Sequence, residues 1–377
     1  MRENENVKKS VLLTNLLIKQ GSCDSYCKYC YHNKEEGYTP DGSEYTYEGE
    51  LKNNLDQIVE FSSNNFNCPI IKICGGEIFL MSNLKEFVGK LLEKYRYVLI
   101  QTNGKHLNDE TLKWIIDYKR VMLQVSIDGH LLSMNRYRFE TQEILDKLLY
   151  AIKILKQNDV YIELTSVLNK LNTARYTEFL EYLYNLPCGK KKNTLKATPI
   201  LLIDKTGEFK ASPEDIKEIE KLTVENKYSQ ILPPLQYMKY FYRLMQGEKL
   251  SYYCYNSIIS ANYIDTGEVK GCTNVLPENV LNVGNVFTDQ PEDIMKRFGK
   301  TKFQQLLVNT KQWVPLCKTC YNFCSIYNLY LNGSISIDDL STNNYMFEVK
   351  EVREMLMKLK EEIDQNNQKQ SYQIKER

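Results

Sequence analysis

The segment VLLTNLLIKQGSCDSYCKYC, residues 11–30, decides the fold of this chain. It joins an apolar, strand-like run to a loop that carries three cysteines, Cys23, Cys27 and Cys30. Three thiolates on one short loop can reach a single metal centre, and such soft ligands select iron–sulfur clusters, zinc or Cu(I). A [4Fe–4S] cluster held by only three cysteines keeps one iron open, as catalytic metal sites do. A structural zinc ion completed by His32, or no metal at all, is the alternative for this loop.

Outward from this loop, strand-like and helical patterns alternate along the first two hundred residues. Apolar runs predict strands at 11–18, 70–74, 97–101, 121–127, 160–168 and 195–203. Apolar positions three and four apart predict helices between them, at about 47–61, 82–95, 108–118, 141–157 and 173–185. This alternation is typical of an α/β fold with a parallel sheet, open or closed into a partial barrel. Functional side chains in such folds collect where the strands end.

The composition argues against several classes of protein. The chain has 377 residues, 42% of them apolar, and its 49 basic and 48 acidic residues leave a formal net charge of +1. That balance argues against binding to nucleic acid through bulk charge. No apolar run approaches the ~18 residues of a membrane span, and the N-terminus lacks an export signal. Since eleven cysteines without such a signal argue against disulfides, we predict a cytoplasmic protein with no nucleic-acid or membrane partner.

The cysteine loop resembles the signature of a known enzyme superfamily. Its CxxxCx(aromatic)C pattern, with Tyr29 at the aromatic position, is similar to that of the radical S-adenosylmethionine (SAM) enzymes. The resemblance implies that Cys23, Cys27 and Cys30 hold a [4Fe–4S] cluster whose open iron binds the amino and carboxylate groups of SAM. In that superfamily one electron cleaves SAM to a 5′-deoxyadenosyl radical, which abstracts hydrogen from the substrate. The residue that matches Tyr29 lies against the adenine.

Motifs at the next strand ends extend the resemblance to about residues 11–205. Gly75, Gly76 and Glu77 match the family's GGE, which contacts the methionyl amine of SAM. Glycines permit a close backbone approach, and a carboxylate suits an ammonium group. After Glu77 the chain departs from the family pattern, because Ile-Phe replaces the common Pro-Leu and can reshape the adjacent loop.

Two further strand ends carry polar residues that the family would place around SAM. Asn103 lies in QTNG at the end of the third strand, which resembles the family's TNG turn. Ser126 and Asp128 lie in VSIDG at the end of the fourth, where they could reach the ribose hydroxyls or the SAM carboxylate. Arg138, or Arg136, stands near the position where relatives pair an arginine with that carboxylate.

A second cysteine group lies in the last third of the chain. Cys254 and Cys272 are spaced as C-x12-G-x4-C around Gly267, which allows a hairpin turn that brings the two thiols face to face. Together with Cys317-x2-Cys320, the pattern resembles the auxiliary-cluster domain of the SPASM/twitch subfamily. The resemblance implies one auxiliary [4Fe–4S] cluster on these four cysteines, because isoleucine stands where full SPASM domains have a further cysteine.

Cys324 leaves the ligand set of this second group open. It either replaces one of the four ligands or is an uncoordinated catalytic thiol near the cavity, which would act as a hydrogen donor or a sulfur relay. A zinc ribbon is the alternative to the auxiliary cluster.

The resemblance also implies a fold and a domain organisation. The expected fold is α/β, a partial (β/α)6 radical SAM barrel with a C-terminal twitch/SPASM-like iron–sulfur domain. We place the barrel at residues 1–205, a helical connector at 206–250, the auxiliary-cluster domain at 251–340, and a C-terminal helix with a disordered tail at 341–377. One apolar face of that helix is predicted to pack on the barrel and carries Val349, Val352, Leu356, Leu359 and Ile363.

Relatives with such an appended domain mostly modify peptides, so we predict hydrogen abstraction from a ribosomally made peptide that leads to a cross-link, an epimerisation or an oxidation. The alternatives are a radical SAM dehydrogenase of a small alcohol or sugar, and a non-catalytic zinc or iron–sulfur scaffold. Thr273 stands where sulfatase-maturating relatives have an aspartate, which argues against that role. Besides the peptide, the expected partner is a reductant such as flavodoxin or ferredoxin. Because only 22 residues precede Cys23, we expect that a peptide either binds the barrel mouth directly or is brought by a separate leader-binding protein.

Overall fold

The computed structural model describes residues 8–19, 22–30, 41–202, 204, 206–224, 227–248, 252–272, 282–309, 325–343, 347 and 349–375. Its strands are β1 (Lys9–Ser10), β2 (Leu13–Ile18), β3 (Phe66–Asn67), β4 (Ile70–Gly75), β5 (Tyr97–Thr102), β6 (Val121–Ser126), β7 (Ile162–Leu168), β8 (Leu195–Leu201), β9 (Ser260–Ile264), β10 (Glu268–Lys270) and β11 (Asn282–Asn285).

Nine of these strands form one sheet, in the order β11-β10-β9-β2-β4-β5-β6-β7-β8. The run from β2 to β8 contains six strands, each parallel to its neighbours, and they correspond to the six predicted strands. Parallel neighbours need crossover connections, which helices supply. The α/β fold expected from the sequence, with its partial (β/α)6 barrel, is confirmed.

Helices connect the parallel strands and continue through the rest of the described chain. They are α1 (Gly49–Asn65), α2 (Leu84–Lys94), α3 (Asp109–Tyr118), α4 (Leu132–Asn135), α5 (Gln142–Gln157), α6 (Tyr176–Tyr184), α7 (Pro213–Lys221), α8 (Leu235–Met245), α9 (Asn256–Ile259), α10 (Pro291–Arg297), α11 (Lys302–Asn309), α12 (Ser325–Leu331), α13 (Ile337–Asn343) and α14 (Lys350–Lys375). Short 3-10 helices span Ile78–Leu80 and Thr173–Arg175. Among the residues described, we find no helix with the length and apolar character needed to cross a membrane.

The helices of the barrel form because each buries one apolar stripe. In α5, Leu145, Leu148, Ile152 and Leu155 recur at helical spacing and are buried in the core. Each such side chain contributes about 1.5–3 kcal/mol when it leaves water. The helix begins where Thr141 accepts a hydrogen bond from the Ile144 backbone, which satisfies one of its unpaired N–H groups. Packing of this kind holds the parallel strands in register.

Strand β9 extends the sheet beyond the predicted barrel. It pairs in parallel with β2, so that Leu13 lies opposite Ser260 and Leu17 opposite Ile264. Between these pairs, the Asn15 side chain donates a hydrogen bond of 2.8 Å to the Asn262 side chain. The predicted barrel and the segment predicted to hold the auxiliary cluster therefore share one continuous sheet.

The C-terminal helix packs with its predicted face on the core. Val349, Val352, Leu356 and Ile363 are buried there, and Leu359 is partly buried against it. Helix α14 continues to Lys375, through the Gln/Asn-rich segment for which the sequence predicts a disordered tail. That prediction is wrong for the backbone as far as Lys375.

Candidate functional site

The predicted site residues of the barrel gather at one edge of the sheet. Strands β2, β4, β5 and β6 are parallel, so their carboxyl ends meet at that edge. The three-cysteine loop follows β2, Glu77 follows β4, Asn103 follows β5, and Asp128 follows β6. Residues that lie far apart in the sequence are brought together here.

Glu77 is fully buried and joins three segments of this edge. Its carboxylate accepts hydrogen bonds from the Thr102 hydroxyl at 2.7 Å and from the backbone N–H groups of Asn103 at 2.6 Å and Phe79 at 3.0 Å. The Glu77 N–H donates to the Ser22 carbonyl at 2.7 Å, just before the cysteines. Burial raises the pKa of Glu77, while the three donors favour its charged form. The expected contact of Glu77 with the SAM amine stays a prediction.

Asn103 attaches the end of β5 to the cysteine loop. Its Nδ2 donates to Asp24 Oδ1 at 2.7 Å and to the Ser25 hydroxyl at 3.0 Å. Lys105 Nζ donates to the Asp24 carbonyl at 2.8 Å, and His106 Nε2 lies 3.1 Å from Asp24 Oδ2. Burial acts to raise the pKa of Asp24, but its contacts with His106, Lys105 and Asn103 hold that pKa below its usual value. Sequence reasoning missed Asp24 and His106, although an acidic residue between the cysteines was a usable signal.

Tyr29, Asp128 and Arg138 form a buried group beside Cys27. The Tyr29 hydroxyl donates to the Asp128 carboxylate, which also accepts from the Val167 N–H at 3.0 Å. Arg138 Nη2 lies 3.7 Å from Asp128 Oδ1, and its Nη1 donates to Cys27 Sγ at 3.8 Å. Burial raises the pKa of Asp128, and the charge of Arg138 opposes that rise. The contacts of these residues with adenine, ribose or carboxylate stay predictions.

The cysteine loop has donor chemistry that fits an iron–sulfur cluster. Burial raises the pKa of Cys23 to about 11 and also raises that of Cys27, so the thiols keep their protons until a metal displaces them. The Cys30 N–H donates to the Cys27 carbonyl at 2.9 Å, which keeps these residues close. Within the described ranges no three His, Cys, Asp or Glu side chains surround the position of a single metal ion, whereas a cluster with several irons spreads its three ligands over different iron atoms. His32, named for the zinc alternative, lies outside those ranges.

The two glycines before Glu77 occupy the close approach between strands. Gly75 is the last residue of β4, and a Cβ atom there would lie 2.4 Å from the carbonyl oxygen of Ile18 on β2. Gly76 follows in a bend and is half-buried. The first glycine is therefore required by the packing of the two strands that carry the site.

We predict that Gly75→Ala lowers the free energy of unfolding by about 1–3 kcal/mol, because a backbone carbonyl cannot rotate away from the added methyl group. Urea denaturation monitored by circular dichroism measures this change. Gly89→Ala is the matched control, since its Cβ would meet only the Tyr118 hydroxyl at 3.2 Å and alanine favours the helix. The prediction would be contradicted if Gly75→Ala and the unsubstituted protein unfolded at the same urea concentration.

A chain of polar side chains crosses one face of the parallel strands. Lys72 Nζ on β4 reaches over β5 and donates to Gln124 Oε1 on β6 at 2.7 Å. Glu163 on β7 accepts from Gln124 Nε2 at 2.8 Å and from the Thr198 hydroxyl on β8 at 2.7 Å. Ser126, two positions after Gln124, shares this face at the carboxyl edge and is half-buried. This row of hydrogen-bonded side chains was not predicted from the sequence. The pattern that could have indicated it is a polar residue on the same face of neighbouring strands, within runs that are otherwise apolar.

Two cysteines of the second group, Cys254 and Cys272, lie in the described ranges and are half-buried. They flank the β9–β10 hairpin on the side opposite its turn, where Gly267 has a φ of +87° as expected. Asn328 Nδ2 donates to Cys254 Sγ at 3.8 Å. Because β9 is parallel to β2, both cysteines lie toward the strand starts, away from the first cysteine loop. Four residues of the prediction lie outside the described ranges, namely Thr273, Cys317, Cys320 and Cys324.

Comparison with known proteins relates part of this chain to one family and its fold to several solved structures. A family model described as the radical SAM superfamily matches residues 17–183. The fold is similar to that of hexahistidine-tagged anSMEcpe with bound AdoMet, with a TM-score of 0.54 and 19% identity over 82% of this chain and 88% of that chain. Streptococcus suis SuiB bound to S-adenosylmethionine gives a TM-score of 0.57 and 14% identity, over 84% of this chain and 74% of that chain.

A third structure, native anSMEcpe with bound AdoMet and Kp18Cys peptide, gives a TM-score of 0.54 and 20% identity over 82% of this chain and 86% of that chain. No curated protein sequence matches this chain. At these identities the solved structures are evidence for the fold alone. The matched residues 17–183 include the three-cysteine loop, Glu77, Asn103 and Asp128, and this part of the chain is a radical SAM domain.

Proposed function

We propose that this protein is a radical SAM enzyme that cleaves SAM reductively and abstracts hydrogen from a ribosomally made peptide. The observation that supports it most is the meeting of a three-cysteine loop with Glu77, Asn103 and Asp128 at one sheet edge. These segments are joined by hydrogen bonds from Asn103 to Asp24 and from Glu77 to Ser22. Such bonds hold the loop against the strand ends, as outer hydrogen bonds do around metal ligands.

The roles of the residues follow from their chemistry. Cys23, Cys27 and Cys30 would hold a [4Fe–4S] cluster, which when bound supplies the electron for SAM cleavage to a 5′-deoxyadenosyl radical. Gly75 and Gly76 would let the backbone approach the methionyl end of SAM.

The remaining contacts belong to five polar side chains and one aromatic ring. Glu77 and Asn103 would orient the ammonium end, and Ser126 and Asp128 would orient the ribose or the carboxylate. Tyr29 would lie against adenine, and its hydroxyl already donates to Asp128. Arg138 stands beside them, next to Cys27, and the cofactor contact expected of it is the SAM carboxylate.

A peptide substrate is supported by the polar face of the sheet and by one structural neighbour. The polar chain from Lys72 to Thr198 offers donors and acceptors beneath the strand ends, where a substrate would receive the radical. Native anSMEcpe, which shares the fold, is described with a bound Kp18Cys peptide. We propose that the bound peptide is cross-linked, epimerised or oxidised, with flavodoxin or ferredoxin as the reductant and a separate protein for any leader segment.

The C-terminal part is proposed to hold one auxiliary [4Fe–4S] cluster. Cys254 and Cys272, on the same side of one hairpin, would be two of its ligands. Cys317 and Cys320 would complete the set, and Cys324 would be an alternative ligand or a catalytic thiol. We retain the four segments 1–205, 206–250, 251–340 and 341–377 as the proposed domain organisation.

The decisive experiment is anaerobic purification and reconstitution of the full chain with iron and sulfide. We expect a visible iron–sulfur absorbance, and 5′-deoxyadenosine and methionine from SAM once dithionite is added. Omitting dithionite is the control and is expected to give neither product. A preparation that binds only zinc, or that holds iron and sulfide without cleaving SAM, would refute the enzyme proposal in favour of a scaffold.

The substrate is tested by mass spectrometry of short peptides encoded beside the gene, incubated with the reduced enzyme and SAM. A change in peptide mass that requires both SAM and dithionite is expected. Oxidation of a small alcohol or sugar, with every peptide unchanged, would replace the peptide proposal by the dehydrogenase.

A further inference from the structure

Arg138 makes a contact that binding of SAM does not require. Its Nη1 donates to Cys27 Sγ at 3.8 Å, within hydrogen-bonding reach of a sulfur acceptor. The side chain is only 8% exposed, so water screens its charge poorly. The guanidinium carbon also lies 5.5 Å from the centroid of the Tyr29 ring, which packs against it on another side. The positive charge of Arg138 is therefore held against one of the three predicted cluster ligands.

The charge of Arg138 is balanced on one side only. Asp128 Oδ1 lies 3.7 Å from Nη2, and the Asp128 carboxylate is itself held by Tyr29 and Val167. Arg138 Nε is buried and has no hydrogen-bond partner among the described residues. Keeping a buried guanidinium with one nitrogen unsatisfied costs free energy, so its position calls for a compensating role.

We propose that Arg138 is a positioning residue that acts through Cys27, and that its guanidinium raises the reduction potential of the SAM-binding cluster. This inference rests on the proposed function, because it assumes that the cysteine loop holds a [4Fe–4S] cluster. Hydrogen bonds to the ligand sulfurs and nearby charges are the main means by which a protein sets such potentials. Reduction adds one negative charge to the cluster, so a fixed positive charge at the sulfur stabilises the reduced form more than the oxidised form.

The electron balance is that of a single transfer. The cluster passes from [4Fe–4S]2+ to [4Fe–4S]+, and no bond is formed or broken. Dithionite supplies the electron in the test, and flavodoxin or ferredoxin would supply it in the cell. A higher potential would let a weaker reductant populate the reduced cluster before SAM is cleaved.

The test is a redox titration of the reconstituted full chain, followed by electron paramagnetic resonance. The cluster on the first cysteine loop is identified as the signal that changes when SAM is added after the titration. For Arg138→Met we expect the midpoint potential to fall, with the ratio of reduced to oxidised cluster about tenfold lower at a fixed potential. For one electron, tenfold corresponds to about 59 mV. Arg138→Lys keeps the positive charge, so the midpoint potential of its cluster is expected to fall by less than that of Arg138→Met.

Asp128→Asn is the matched variant with the opposite expected sign. It removes the negative charge that offsets Arg138 and keeps one of the two oxygens that accept from the Tyr29 hydroxyl and the Val167 N–H, so the midpoint potential of the cluster should rise. A purely structural role would not move the two potentials in opposite directions, and Asp128→Asn gives a result even if Arg138→Met does not fold. An unchanged or raised midpoint in Arg138→Met, or a lowered one in Asp128→Asn, would overturn the inference and leave the proposed function standing. Absence of any cluster from the unsubstituted chain would overturn both.

Discussion

Replacing Cys27 by alanine is expected to remove the SAM-binding cluster and to abolish cleavage of SAM. Cys27 is buried, so water cannot readily take its place as a ligand. With the auxiliary cluster intact, iron should fall from about eight atoms per chain to about four. Loss of residues that merely support a metal ligand costs about 10–100-fold, so the loss of a ligand should lower 5′-deoxyadenosine formation by at least about 100-fold. Iron analysis and chromatography of 5′-deoxyadenosine measure the two effects.

Cys188→Ala is the control for this variant. Cys188 is exposed and follows α6, outside the three-cysteine loop. Its substitution should leave both the iron content and SAM cleavage unchanged, because exposed positions of this kind rarely affect stability by more than about 0.5 kcal/mol. Full iron content with normal SAM cleavage in Cys27→Ala would show that the loop does not hold the catalytic cluster.

Replacing Glu77 by alanine is expected to destabilise the fold strongly as well as to weaken the site. The carboxylate accepts hydrogen bonds from the backbone N–H groups of Phe79 and Asn103 and from the Thr102 hydroxyl. Alanine leaves the two backbone donors buried without an acceptor, at about 1–3 kcal/mol each, so the free energy of unfolding should fall by roughly 2–6 kcal/mol. Urea denaturation of the metal-free protein measures this loss independently of the cluster.

Two further variants separate the causes. Glu77→Gln keeps one oxygen acceptor but turns an amide N–H₂ toward a donor, so its loss should be smaller, about 1–3 kcal/mol. Glu93→Ala removes an exposed carboxylate at the end of α2 and should change stability by no more than about 0.5 kcal/mol. If Glu77→Ala were as stable as Glu93→Ala, the Glu77 carboxylate could not be the acceptor that links Phe79 to the end of β5.

The parallel strands could be predicted because their signal is local. Each is a short apolar run bounded by polar or glycine residues, and every predicted strand overlaps an observed one between β2 and β8. The helices between them follow from apolar spacing in the same way, as the buried stripe of α5 illustrates. The backbone of 366–375 was predicted incorrectly because composition alone indicated disorder, whereas α14 continues through it.

The site was predictable to the extent that it follows strand ends. Once the strands are parallel and in sequence order, the loops after β2, β4, β5 and β6 must share an edge. Nothing local shows which side chain in one loop meets which in another. The bonds of Asp24 to Asn103 and His106, and the contact of Arg138 with Cys27, therefore escaped prediction.

The sequence by itself determined the α/β alternation, the cysteine loop and the order of the polar strand ends, because periodicity and spacing are properties of neighbouring residues. Only the tertiary structure placed β9 beside β2, the guanidinium of Arg138 against Cys27, and the polar chain from Lys72 to Thr198 across the parallel strands. These depend on pairing between distant segments, where packing and hydrogen bonding choose among many arrangements that the same local patterns allow.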